Sequence, residues 1–236
     1  EYNSGAMENI AAVTFNEKYL FRDRPTERDL LGRAEVILHE LAHMWFGNLV
    51  TMRWWDDLWL NESFATYVSY VSMTKATRFV QGWENFRGQI KTWALGEDQK
   101  PTTHPIIGLV DDTDKTFLNF DGITYGKGAS VLKQLACYLG EEAFRDGLRL
   151  YFARHAYGNT DAADFLGALA EASGADLTEW AHLWLETKGV NVLRAERVAE
   201  GAVSSLRVSQ EKDAGDAVLR PHRFDVGVWR AAPHGL

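Results

Sequence analysis

The sequence predicts an α+β protein that is mostly helical and ends with the start of a β-rich domain. Apolar residues recur at helical spacing in successive segments before Gly189, whereas after Gly189 they alternate with polar residues. The chain has 236 residues, of which 46% are hydrophobic, so it can bury a substantial core. We therefore expect one domain over residues 1–189 and the beginning of a β-sandwich-like domain over residues 190–236.

Two elements are predicted in the first 50 residues. The apolar, β-branched run Ile10–Phe15 follows a loop that contains glycine, which favours a short strand. A long helix is then expected over Thr26–Phe46, because Thr26 and Asp29 form a start signal and Gly47 provides a stop signal. Its apolar positions cover much of the helix surface, so the helix is predicted to be buried.

A second helix is predicted over Asn61–Thr77, with Asn61 as its cap and Glu62 in its first turn. Further helical patterns, separated by Gly, Pro, Asn and Asp, cover Trp83–Leu95, Gly122–Leu139, Glu141–Ala156, Ala162–Ala172 and Leu177–Thr187. The alternating segments predict strands over Asn191–Arg197, Val203–Ser209 and Arg223–Trp229.

Composition and charge argue against several classes of protein. The formal net charge is −8 and no Lys/Arg block is present, so nucleic acid is not an expected partner. No apolar run reaches the roughly 20 residues that span a bilayer, so we expect no membrane segment in this chain. The single cysteine, Cys137, cannot form an internal disulfide, which fits a cytoplasmic location unless a targeting sequence lies upstream. Because the chain begins with Glu1, we expect a piece of a longer polypeptide.

The segment HELAHMWFGNL, which starts at His39, contains the pattern His-Glu-x-x-His. A helix brings residues four apart onto one face, so His39 and His43 can direct two imidazoles at one ion while Glu40 lies beside it. Glu62 adds a carboxylate at the start of the second helix. Three protein ligands with a fourth position left for water are typical of a catalytic zinc. Taken singly, each residue has a structural alternative, as a core histidine or as a carboxylate that suits the first turn of a helix.

Four motifs occur in order along the chain: GAMEN from Gly5, HELAHMWFGNLVT from His39, DLWLNESFATY from Asp57 and ITYGKGASVL from Ile123. Together they resemble the aminopeptidase N family of zinc metallopeptidases, over about Gly5–Gly189. The resemblance implies a thermolysin-like catalytic domain, in which one zinc ion lies between a small mixed sheet and a mostly helical lobe. It also implies that the first strands of that sheet lie upstream of this chain.

The resemblance assigns a role to each residue of the zinc pattern. It implies that His39, His43 and Glu62 bind one Zn²⁺, and that Glu40 is the general base acting on the zinc-bound water. Zinc lowers the pKa of bound water to about 7, and a nearby carboxylate can accept the proton and return it to the leaving amine. Tyr125 matches a tyrosine whose hydroxyl stabilises the oxyanion formed during catalysis.

The resemblance implies that the GAMEN motif recognises the N-terminal end of the substrate. Glu8 matches a carboxylate that pairs with the free α-ammonium, while the backbone of Gly5, Ala6 and Met7 lies along the peptide. A substrate with an acylated amine would leave Glu8 buried without a partner, so it would be rejected. The implied activity is therefore hydrolysis of the first peptide bond of peptides with a free N-terminus. Without the resemblance, Glu8 would be a surface loop carboxylate.

Some expectations rest on weaker grounds. Asp57 and Asn48 are expected to orient the ligand imidazoles, because they lie near them in sequence. Members of the family have a β-rich domain before the catalytic domain and a helical domain after it, so we expect missing flanking domains to complete the site. Two other functions stay open, namely a bifunctional relative that also opens an epoxide and an inactive scaffold stabilised by zinc. Glu40 and Tyr125 argue against the scaffold, because neither is needed to hold a metal.

Overall fold

Helices dominate the part of the chain that the computed structural model describes, namely residues 3–200, 203–213 and 218–227. Three two-stranded sheets accompany them within these ranges. This confirms the predicted α+β class. None of the helices formed by the described residues is long and apolar enough to cross a bilayer.

The N-terminal residues form a small hairpin. Strand β1 (Ala6–Met7) pairs antiparallel with strand β2 (Thr14–Phe15), with Ala6 opposite Phe15. The strand predicted over Ile10–Phe15 is therefore present only at its end. Its first residues are needed to reverse the chain, since the amide of Ala12 donates to the carbonyl of Asn9 in a turn.

Helix α1 (Glu27–Ala42) begins as predicted and ends earlier than predicted. It is not buried as predicted, because the apolar side chains of Ile37 and Leu41 expose about half of their surface. The Thr26 hydroxyl accepts from the amide of Asp29 at 3.2 Å, and the Asp29 carboxylate accepts from the amide of Thr26 at 2.8 Å, which forms a capping box. After Ala42 the chain turns instead of continuing to Phe46. The amides of Met44 and Trp45 donate to carbonyls three residues back, as in a 3₁₀ turn, so the α-helical pattern of hydrogen bonds is not continued.

Helix α2 (Trp59–Ala76) packs against α1 and starts two residues before the predicted cap. Asn61 therefore lies inside the first turn and is not the cap, so this prediction was wrong. The preceding short 3₁₀ turn, Trp55–Asp57, runs almost directly into the helix and moves its start upstream. Glu62 lies in the first turn of α2, as expected.

Two turns of π-helix interrupt the next helical segments. Helix α3 (Gly82–Phe86) continues through the π-turn Arg87–Lys91 into α4 (Thr92–Asp98). After α5 (Thr113–Thr116), a second π-turn, Ile123–Lys127, leads into α6 (Gly128–Leu139). The two π-turns lie against each other, and a Cβ on Gly126 would come within 2.7 Å of the Ile90 carbonyl oxygen. Glycine is thus required for this close approach.

The remaining helices agree with the prediction to within two residues at each end. They are α7 (Glu141–His155), α8 (Ala162–Ser173) and α9 (Thr178–Leu185). Strand β3 (Val50–Met52) pairs in parallel with β4 (Gly158–Thr160), and neither strand was predicted. Each has only three residues, too few for an alternating pattern to be visible in sequence.

The C-terminal part contains a long antiparallel hairpin. Strands β5 (Asn191–Glu200) and β6 (Val203–Lys212) pair with Asn191 opposite Lys212, which confirms two of the predicted strands. The third, Arg223–Trp229, forms no strand over residues 223–227, and residues 228 and 229 lie outside the described residues. Arg223 instead donates to the carbonyl of Tyr138 at the end of α6. The β-sandwich-like domain therefore stays a prediction, as does the boundary near Gly189.

Two apolar clusters hold α2 along its length. The larger cluster includes Trp59 and Phe64, and the Phe64 ring stacks on Phe46 with a centroid distance of 4.2 Å. The smaller cluster includes Tyr70 and Met73 at the other end of the helix. Each large apolar side chain buried in this way contributes about 1.5–3 kcal/mol to stability. The helix that carries Glu62 is thus fixed at both ends.

Candidate active site

The two histidines and the distant glutamate of the sequence pattern meet at one point. The Nε2 atoms of His39 and His43 lie 3.1 Å apart, one turn from each other at the end of α1. Oε2 of Glu62 lies 3.3 Å from the first of these nitrogens and 3.5 Å from the second. A tetrahedral zinc with bonds of about 2.1 Å places its ligand atoms about 3.4 Å apart. The three separations fit that geometry.

The hydrogen bonds of the three side chains also fit a cation. A carbonyl oxygen can only accept, so the 2.9 Å bond from His43 Nδ1 to the Phe46 carbonyl leaves the lone pair on Nε2. Oε2 of Glu62 is buried and has no hydrogen-bond partner among the described residues. A buried carboxylate oxygen beside a nitrogen lone pair is unfavourable unless a cation lies between them. The residues present therefore fit a bound Zn²⁺.

Glu40 lies beside this group and does not belong to it. Its side chain is buried, and within the described part of the chain its Oε2 has no hydrogen-bond partner. Burial raises the pKa of Glu40 to about 7, against the lowering effect of His39 and His43. A carboxylate with a pKa near neutrality can accept a proton and return it.

Tyr125 projects from the second π-turn towards the same point. Its ring stacks on the His39 imidazole, with a centroid distance of 6.0 Å, and Trp93 and Phe120 flank it at 6.3 and 6.4 Å. Burial raises the pKa of the Tyr125 hydroxyl, and the neighbouring carboxylate of Glu62 raises it further. The hydroxyl therefore stays protonated and is available as a hydrogen-bond donor.

The N-terminal hairpin forms the opposite wall of a cleft of about 360 Å³. Glu8 Oε1 lies 3.9 Å from Nδ1 of His43, and the backbone carbonyl of Glu8 accepts from Asn48 Nδ2 at 2.8 Å. The residues that the sequence proposed for metal binding, catalysis and substrate binding all line this cleft, namely Gly5, Ala6, Met7, Glu8, His39, Glu40, His43, Glu62 and Tyr125.

The profile of the Peptidase family M1 domain matches residues 1–184 of the sequence. The chain belongs to this family. Three relatives illustrate the similarity of the M1 chain to named proteins. It is 53% identical to "Aminopeptidase N" of Streptomyces lividans over 97% of this chain and 28% of the relative. It is 41% identical to "Leucyl aminopeptidase" of Saccharolobus solfataricus over 90% of this chain and 26% of that protein.

The third relative is "Tricorn protease-interacting factor F2" of Thermoplasma volcanium, which is 40% identical over 90% of this chain and 27% of the relative. The M1 chain thus spans about a quarter of the length of these relatives. These matches establish that the chain belongs to the M1 family.

The two residues expected to orient the imidazoles do not contact them. Asp57 accepts from Trp59 Nε1 at 3.0 Å and from the amide of Ala162 at 3.1 Å, so it joins the start of α2 to the start of α8. Asn48 holds the loop of Glu8, as described above. These predictions were wrong, because closeness in sequence to a ligand does not determine the direction of a side chain.

The groups that contact the outer imidazole nitrogens are the Phe46 carbonyl, at His43, and the Thr66 hydroxyl, which lies 3.5 Å from Nδ1 of His39. Such contacts fix the orientation of metal ligands. Thr66 is four residues after Glu62 on one helix face, a spacing that could have identified it. The carbonyl of Phe46 is a backbone group and leaves no signal in the sequence.

Two further residues of the site were missed. The Ser63 hydroxyl donates to the Thr124 carbonyl at 2.5 Å, which ties α2 to the π-turn that carries Tyr125. Glu35 lines the cleft one helical turn before His39. Its position four residues before a proposed ligand is the signal that could have indicated it.

Proposed function

We propose that the chain carries the catalytic centre of a zinc-dependent aminopeptidase that releases single residues from the N-terminus of peptides. One observation carries this proposal: the ligand atoms of His39, His43 and Glu62 have tetrahedral spacing in a cleft that also contains Glu40 and Glu8. Membership of the M1 family and the names of the aminopeptidase relatives support it.

The chemistry divides between the metal and the side chains of the cleft. Bound Zn²⁺ would polarise the scissile carbonyl and lower the pKa of the attacking water. Glu40 takes the proton of that water and delivers it to the amine that leaves. Tyr125 donates its hydroxyl proton in a hydrogen bond to the carbonyl oxygen as negative charge develops there.

Glu8 accounts for the preference for the N-terminal residue of the substrate. Its carboxylate binds the α-ammonium of the substrate, while the β1 backbone of residues 5–7 lies along the peptide. An acetylated amine would leave Glu8 in the cleft without a positively charged partner, at a cost of about 1–3 kcal/mol or more. The proposed enzyme therefore acts on free N-termini only.

The chain is much shorter than its relatives, and this supports two further parts of the proposal. Because it covers about a quarter of its relatives, flanking domains of a longer protein would complete the walls of the cleft. We propose residues 1–189 as the catalytic domain and residues 190–236 as the start of the next one. The single, unpaired Cys137 supports a cytoplasmic location for that protein.

The experiment uses the full-length parent protein and its Glu40→Gln variant. Zinc content is measured by elemental analysis, and turnover is measured on an aminoacyl fluorogenic amide and on its N-acetylated counterpart. We expect about one zinc per chain in both proteins, cleavage of the free amide by the parent only, and no cleavage of the acetylated substrate. Zinc without turnover in the parent would instead support the scaffold, and a parent without zinc would contradict the proposal.

A further inference from the structure

The cleft contains more negative charge than the proposed reaction uses. Four carboxylates line it, on Glu8, Glu35, Glu40 and Glu62, and the described lining includes no Lys or Arg. Zn²⁺ and the α-ammonium of a substrate together offset three of these charges. Three of the carboxylates also have roles in the proposed reaction. The fourth, on Glu35, has neither a role nor a balancing charge.

Glu35 has little hydrogen bonding within the described chain. Ser69 Oγ lies 3.3 Å from one of its carboxylate oxygens, but the single proton of that hydroxyl is better placed for the Thr66 carbonyl at 2.8 Å. Lys18, Arg28 and Arg33 border a neighbouring cavity that Glu35 also lines, yet no ion pair joins any of them to Glu35 among the described residues. A carboxylate so placed favours a cationic ligand.

The electrostatics of Glu35 agree with this description. Burial raises the pKa of Glu35, while His39 and the Ser69 hydroxyl lower it. Tyr19 and Tyr70 line the same neighbouring cavity as Glu35, which raises their pKa values in part, so both are neutral. Within the described part of the chain, no Lys or Arg therefore forms an ion pair with Glu35.

The position of Glu35 relative to Glu8 gives it a place along a bound peptide. Glu8 lies near His43, at the C-terminal end of α1. Glu35 is four residues before His39, about 6 Å along the helix axis in the opposite direction. A peptide whose ammonium is held by Glu8 and whose first carbonyl lies at the metal ligands continues towards Glu35. The side chain nearest Glu35 then belongs to the residue after the cleaved bond.

We propose that Glu35 selects peptides with a lysine or arginine immediately after the bond that is cleaved. This inference rests on the proposed aminopeptidase function, which sets the direction of the peptide. The bond between Glu35 and the substrate cation would be charge-assisted, and it would form in a cleft with little competing positive charge. The specificity concerns the residue that becomes the new N-terminus.

The test compares two peptides that differ in a single ammonium group. Ala-Lys-Phe amide and Ala-norleucine-Phe amide have similar second side chains, one with the cation and one without. We expect the full-length parent to cleave the lysine peptide with about tenfold higher kcat/KM, the magnitude of one hydrogen bond to a charged group. In Glu35→Gln this ratio is expected to fall to about one, and in Glu35→Arg a peptide with glutamate in second position should become the better substrate.

The ratio of the two rates is taken within each variant, so a smaller fraction of folded protein cancels. Glu142→Gln, an exposed change on α7, serves as the matched control and should keep the parent's ratio. A ratio near one in the parent, or an unchanged ratio in Glu35→Gln, would overturn the inference while aminopeptidase activity persists. If neither peptide nor a simple aminoacyl amide is cleaved, the proposed function itself has failed and the inference fails with it.

Discussion

The helix pair α1–α2 and the hairpin β5–β6 are held in different ways. Helix α2 lies between two apolar clusters, with Phe64 fully buried, and its polar residues converge with those of α1 in one cleft. In the hairpin, Leu193 and Leu206 expose nearly half of their surface, and the two strands pair along their whole length. The region with buried packing is thus the one in which the positions of side chains determine the proposed chemistry.

The largest effect is expected when a proposed zinc ligand on the helix pair is replaced. In the full-length parent, Glu62→Gln removes an anionic ligand while keeping the shape of the side chain. Zinc affinity should fall by more than about 100-fold, beyond the effect of changing a group that only orients a ligand. Competition with a chelator measures this, with Glu142→Gln as the control for an exposed glutamate. Equal affinity in both variants would remove Glu62 from the site.

The second prediction contrasts the two regions by stability. Phe64→Ala should lower the free energy of unfolding by about 3–5 kcal/mol, because it leaves a cavity beside Phe46 and Phe165. Leu206→Ala in the hairpin should lower it by less than about 0.5 kcal/mol. Denaturant titration of both variants gives the values. A hairpin variant as damaging as the core variant would break the comparison.

The third prediction concerns the π-turn that faces the helix pair. Tyr125→Phe keeps the ring that stacks on His39 and removes only the hydroxyl. We expect kcat to fall by about 100-fold, the effect of losing one donor to a developing oxyanion, with zinc content unchanged. Steady-state kinetics on an aminoacyl amide tests this. Full activity in the variant would mean that the hydroxyl has no part in the chemistry.

The smallest effect is expected at a group that orients one of the ligand imidazoles. Thr66→Val removes the hydroxyl at Nδ1 of His39 and keeps the volume of the side chain. Zinc affinity should fall by about tenfold, the lower part of the range for groups that orient a ligand. Asn48→Ala, whose side chain touches no imidazole, should leave zinc affinity unchanged. If Asn48→Ala lowered zinc affinity more than Thr66→Val, the expectation based on closeness in sequence would be correct.

The comparison also shows which features a sequence can reveal. The spacing of His39 and His43 translates directly into one helix face, and the capping signal at Thr26 gave the start of α1 within a residue. Groups outside such local rules were not predictable. The Phe46 carbonyl turns back only because the chain leaves the helix at Ala42, and the pairing of β3 with β4 joins segments more than 100 residues apart.

The geometry of the candidate site could not be predicted from local sequence patterns alone. A sequence can place Tyr125 in a helical segment, but its stacking on His39 depends on the contact between two π-turns, which no periodicity indicates. Glu35 was overlooked for a related reason. On helix α1, where several other residues are exposed, one more carboxylate looks like an exposed position until the hairpin of Glu8 is placed across the cleft from it.

The central claim is that one zinc ion binds at the point shared by His39, His43 and Glu62. X-ray absorption at the zinc edge of the full-length parent protein tests it most directly. The expected spectrum has nitrogen and oxygen ligands at about 2.0–2.2 Å, two of them imidazoles, and it loses one imidazole in His43→Ala. A spectrum with sulfur ligands at about 2.3 Å, or one that is unchanged in His43→Ala, would contradict the account.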